Sequence, residues 1–85
     1  MLELHLSNKT RKFLDKCNDE LFSKIDNILN DLKSNPFPKG FRKIEGTKEK
    51  AFRIRSGGFR IIYSILKDKN SLVVLNIDKR SRVYD

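Results

Sequence analysis

Apolar and polar residues alternate at the start of this chain and again through its second half, and between them the apolar residues recur at helical spacing. "LELHL", Leu2 to Leu6, alternates strictly and predicts a short first strand. Ser7 or Asn8 then offers an N-cap for a helix over "NKTRKFLDKC", whose Phe13, Leu14 and Cys17 fall on one helical face. Asn18-Asp19 opens a second helix. Its Leu21, Phe22, Ile25, Ile28, Leu29 and Leu32 form one stripe at steps of three and four, the pattern of a helix packed on a sheet. Asn35-Pro36-Phe37-Pro38-Lys39-Gly40 ends that helix, because Pro36 disfavours helical geometry at Asn35 and the second proline and Gly40 keep the segment turned or extended.

The remainder reads as strands. "FRKIEG" predicts one, and "FRIRSGGFRIIY", Phe52 to Tyr63, predicts a hairpin. Gly57-Gly58 is a two-residue turn signal, since both central positions of a type I′ turn need positive φ. If Ser56 pairs with Phe59, Arg55 lies directly opposite Arg60 and Arg53 opposite Ile62. Like charges in that relation destabilise a ladder, so this register calls for a compensating partner. "KDKN" is the turn into "SLVVLNI", a strand apolar on both faces and therefore expected inside the sheet. The predicted order is β-α-α-β-β-β-β: an α+β fold, one domain over residues 1–85, with two N-terminal helices packed on one face of a small, mostly antiparallel sheet. The helical stripe is expected to meet Phe52, Ile54, Ile61 and Tyr63. Arg53, Arg55 and Arg60 then share the opposite face.

Charge changes the picture. The 19 Lys and Arg outnumber 11 acids, a formal net charge of +8. Residues 1–35 hold six basic and six acidic side chains, whereas residues 36–85 hold 13 and five, so the whole excess sits with the strands. That asymmetry points to a polyanion such as nucleic acid, or to an acidic protein. A membrane surface fits less well, because the basic half is not an amphipathic helix. The single cysteine, Cys17, excludes an internal disulfide, and His5 stands alone as a histidine. Both read as structural, Cys17 as a small buried apolar residue and His5 on an edge strand. Met1 to Leu6 is too short for a secretory or membrane-spanning segment, so a cytoplasmic location is expected.

The chemistry available is narrow. The chain has no Ser-His-Asp set, no motif of paired carboxylates, no phosphate-cradling glycine loop and no zinc spacing. No cofactor or metal is expected, and any reaction has to run on Arg, Lys and Tyr. Arginine suits phosphate, because its planar fork bonds two oxygens and stays charged. Glu45 and Asp78 are the acids available to pair with Arg42, Lys43, Arg53, Arg55, Arg60, Lys79, Arg80 and Arg82, too few to neutralise that set. A bound polyanion would also remove the repulsion between Arg55 and Arg60. Tyr84, among several cations, is a candidate proton acceptor or base-stacking platform, or an aromatic anchor for the terminus.

"NP" after the second helix, "KIEG", "FRIRSGGFRIIY" and the terminal "DKRSRVY" together resemble the RelE/ParE superfamily of toxins from toxin–antitoxin pairs. The resemblance covers essentially the whole chain. It implies the small sheet with two helices, similar to microbial RNases, and on the RelE branch a metal-independent mRNA endonuclease acting on the translating ribosome. In such enzymes the 2′-OH attacks the adjacent phosphate of A-site mRNA. The protein accepts a proton, stabilises charge on the phosphate and protonates the leaving 5′ oxygen. By position, the resemblance assigns catalytic roles to Arg60, Arg80 and Tyr84, and puts Arg53 where the family has a strand lysine. A second family lysine aligns with Ala51, leaving Lys48 and Lys50 nearby. RNA-backbone contacts are expected from Arg42, Lys43, Lys48, Lys50, Arg55, Lys79 and Arg82. The expected partners are a cognate RelB-like antitoxin, in a hetero-oligomer, together with the ribosome and mRNA. The ParE branch implies a DNA gyrase inhibitor instead, and an inactive relative that only binds its antitoxin is the third alternative.

Overall fold

The computed structural model describes residues 1–44 and 50–79. Strand β1 (Glu3–Leu6) leads into helices α1 (Asn8–Asp15) and α2 (Asp19–Ser34), followed by strands β2 (Arg42–Ile44), β3 (Ala51–Ser56), β4 (Phe59–Leu66) and β5 (Ser71–Lys79). The five strands form one sheet in the order β1-β5-β4-β3-β2. Three of its four pairings are antiparallel, and β1 joins β5 in parallel. The α+β reading and the element order both hold, and β5 is flanked on both sides as its two apolar faces require.

Local chemistry sets the element ends. The Ser7 side chain caps α1 by accepting from the Thr10 N–H, and the Asn18 side chain caps α2 by accepting from the Leu21 N–H at 2.8 Å. Gly57 and Gly58 both take positive φ, 50° and 87°, so the hairpin turns in two residues and Ser56 pairs with Phe59. The strand foreseen over "FRKIEG" is shorter, Arg42–Ile44, among the described residues. Helix α1 stops at Asp15, short of Cys17, which is only partly buried and donates its thiol to the Phe13 carbonyl at 3.3 Å. Desolvation raises the pKa of that thiol.

The core lies between α2 and the sheet. Ile25, Leu29 and Leu32 pack with Phe52, Ile61, Tyr63, Leu72, Val74 and Ile77, all of them buried, and Ile54 joins them partly buried. Phe22 departs from its predicted place in the stripe and is 45% exposed. Phe37 and Phe41 meet Phe52 edge-to-face, with ring centroids 5.3 and 6.0 Å away. Tyr63, fully buried, donates its hydroxyl to the Pro36 carbonyl at 2.6 Å, tying the proline segment to the sheet. No helix among the described residues is long and apolar enough to cross a membrane.

A bulge in β5 governs what each face presents. Ile62 pairs with Asn76 and Tyr63 with Val74, so Leu75 is an extra residue on β5. The inserted residue changes the alternation. Leu72 and Val74 point to the core on one side of it, and Ile77 does so on the other. In consequence Asn76 and Asp78 stand on the opposite face. The bulge is held by the start of α1: the Ser7 hydroxyl donates to the Leu75 carbonyl at 2.8 Å and the Thr10 hydroxyl to the Val74 carbonyl at 3.1 Å.

Candidate nucleic-acid interface

The face turned away from the helices carries two rows of side chains running across the sheet. Arg42, Arg53, Ile62 and Asn76 are successive partners in one row. Arg55, Arg60 and Asp78 make the next. Neighbouring strands lie about 4.8 Å apart, so each row sets its side chains at close, regular intervals. The predicted Arg55–Arg60 and Arg53–Ile62 pairings are both present. A second arginine pair, Arg42 with Arg53, was concealed in the sequence because the register of β2 is set by no tight turn.

The compensating charge for Arg60 comes from within the chain. Arg60 donates through Nη2 to Asp78 Oδ2 at 3.0 Å, across the β4–β5 ladder. The other carboxylate oxygen, Oδ1, accepts from Asn76 Nδ2 at 2.9 Å. Asp78 therefore meets the repulsion that a bound polyanion was expected to relieve. Arg60 Nε is buried with no hydrogen-bond partner among the described residues, although about a third of the side chain is exposed. An ion pair this open contributes little to stability, roughly 0–1 kcal/mol.

Basic hollows flank this centre. Lys39, Gly40, Arg42, Arg53, Ile54 and Arg55 line one of about 200 Å³. Across the sheet, Lys9, Lys12, Phe13, Lys16, Asn76, Ile77 and Asp78 line another of about 300 Å³. The α1 lysines escaped the charge argument because the first half of the chain is neutral as a whole. Their spacing of three and four residues on one helix was the available signal. A surface of this kind can bind a phosphate chain and stabilise negative charge developing on a phosphorus centre.

The expected site residues divide. Arg42, Arg53, Arg55 and Arg60 come together on this face. Lys43 and Lys79 pair with Phe52 and Phe59, which sets them toward the helix side of the sheet. Lys50 is exposed just before β3, and its carbonyl accepts the Ser64 hydroxyl at 2.8 Å. Lys48, Arg80, Arg82 and Tyr84 lie outside the described residues, as does Glu45. Among the described residues no three His, Cys, Asp or Glu side chains gather into a set that could hold a metal.

Residues 4–84 match the model of a protein family described as the ParE toxin of the type II toxin–antitoxin system parDE. A protein of Methanocaldococcus jannaschii that carries the name toxin RelE1 is 31% identical over 64 residues, which cover 72% of this chain and 70% of that protein. Among solved structures, an archaeal RelE–RelB complex from Pyrococcus horikoshii superposes with a TM-score of 0.82 at 22% identity, covering 96% of this chain and 98% of that one. The isolated RelE toxin of E. coli gives the same TM-score, 0.82, at 18% identity over 98% of this chain and 88% of its own. The fold, the family match over nearly the whole length and the named archaeal relative agree: this chain belongs to the RelE/ParE superfamily of type II toxins, on its RelE-type branch.

Proposed function

We propose that this toxin is a ribosome-dependent mRNA endonuclease of the cytoplasm, cleaving A-site mRNA by attack of a 2′-OH on the adjacent phosphate. The observation that carries the reading is the set of four arginines, Arg42, Arg53, Arg55 and Arg60, on one open face of the sheet. In this reaction the nucleophile and the leaving group both belong to the RNA, so the protein supplies proton transfer and charge stabilisation without a metal. Arg60 and Arg53 stabilise the phosphorane, with Arg42 and Arg55 holding the flanking backbone. Arg80 completes the cationic set and Tyr84 handles a proton. The resemblance assigns those two roles, and Arg80→Ala and Tyr84→Phe should each lower cleavage.

The complexes of related toxins, such as the RelE–RelB pair of P. horikoshii, support a cognate RelB-like antitoxin as the second partner. An antitoxin that covered or displaced the arginine face would silence the toxin by denying it phosphate. Induced expression followed by primer-extension mapping of cellular mRNA tests the enzymatic reading. Cleavage within ribosome-occupied codons is expected. Growth arrest with intact mRNA and blocked DNA supercoiling would replace it with the gyrase reading.

A further inference from the structure

We propose that Asp78 is a positioning residue for Arg60, holding its guanidinium in the geometry through which the toxin acts; this rests on the role given to Arg60 above. Three observations converge on the pair. Arg60 stands directly opposite Arg55, and repulsion between like charges drives two long side chains apart. Arg60 Nε is buried and has no hydrogen-bond partner among the described residues, so the guanidinium is held through its Nη contacts. The restraint is the bond from Nη2 to Asp78 Oδ2 at 3.0 Å.

The carboxylate is itself fixed. Asn76 bonds Oδ1 while Arg60 bonds Oδ2 through Nη2, so the contact with Arg60 is single rather than a fork. That single contact leaves the remaining Nη donors of Arg60, on a side chain about a third exposed, available to a second anion. The arrangement exists because the Leu75 bulge brings Asn76 and Asp78 to the arginine face. An acid placed in a phosphate-binding surface weakens polyanion binding by its charge, so its presence there is explained by what it does to Arg60.

The two effects of Asp78 have opposite signs, which makes the proposal testable. With 70S ribosomes programmed with a short mRNA, Asp78→Ala should cut the single-turnover cleavage rate at saturation at least tenfold. Its apparent Kd should stay equal or fall, because a negative charge has gone. Asp78→Asn keeps one acceptor oxygen and should recover most of the rate. By NMR, the Arg60 Nε–H should exchange with water at least tenfold faster in Asp78→Ala than in wild type, while thermal melting shows both variants folded. Unchanged exchange would overturn the proposal, as would an Asp78→Ala toxin that cleaves at the wild-type rate. If wild type itself failed to cleave, the endonuclease reading would fall. Growth arrest on induction would then score Asp78→Ala, and full potency would count against the positioning role.

Discussion

Arg55 and Arg60 occupy directly paired positions across the β3–β4 ladder, and the Arg60 side chain is bonded to Asp78 on its other flank. The sheet thus tolerates an arginine pair that a ladder of two strands would disfavour, because a third strand contributes the opposite charge. A functional cation held by a surface ion pair should matter more to activity than to stability.

Arg60→Ala should therefore lower cleavage of ribosome-bound mRNA by about 10²–10³-fold, the range for removing one donor that stabilises a developing negative charge. Its thermal stability should change by no more than about 1 kcal/mol, since an exposed ion pair and a like-charge pair are lost together. Quench-flow cleavage and a calorimetric scan of the same preparation separate the two effects. Full activity in this variant would refute the phosphate role of Arg60, whereas an unfolded variant would show a structural one.

The arginine rows should also set the salt dependence of RNA binding. Each lost phosphate contact lowers the slope of log K against log salt by about 0.7 for single-stranded RNA. Arg42→Ala and Arg53→Ala are each expected to reduce the slope by that amount, and Lys43→Ala, on the helix side, is expected to leave it unchanged. Fluorescence anisotropy with a labelled oligonucleotide over a salt series measures all three.

The β5 bulge should depend on the start of α1. Ser7→Ala removes both an N-cap and the donor to the Leu75 carbonyl, and it should cost about 1–2 kcal/mol in urea unfolding. Deletion of Leu75 should do something different. It leaves Val74 opposite Tyr63 and Asn76 opposite Ile62 in unbroken alternation, so Asp78 should keep its place beside Arg60 and cleavage should survive in a variant that has lost the Ser7–Leu75 bond.

Tyr63 should make the protein sensitive to alkali. Burial pushes its phenol up to about 12, against a usual value near 10. The unfolded chain loses this proton first, so the stabilisation is fully present below pH 10 and is lost as the pH rises through 12. The loss amounts to about 3 kcal/mol, and Tyr63→Phe should abolish that part of the alkaline slope. The same variant should cost about 1 kcal/mol at neutral pH, because the Pro36 carbonyl loses its donor. Guanidinium melts at a series of pH values would show both.

Much of this molecule is written in local patterns. The stripe through Ile25, Leu29 and Leu32 marks a helix that must bury one side, and two consecutive glycines favour the two-residue turn that sets Arg55 opposite Arg60, a pairing a three-residue turn would have broken. The arginine-rich face follows from alternation on either side of that turn. Other relationships join segments far apart in the chain, and no local spacing encodes them. The parallel docking of β1 on β5, the meeting of Arg42 with Arg53 and the hydroxyl of Ser7 on the carbonyl of Leu75 depend on how whole elements pack. Asp78 was nameable as a candidate partner, but whether it faced Arg60 turned on one extra residue in β5. A strand's side chains change face with every residue, so a single bulge decides which of them meet.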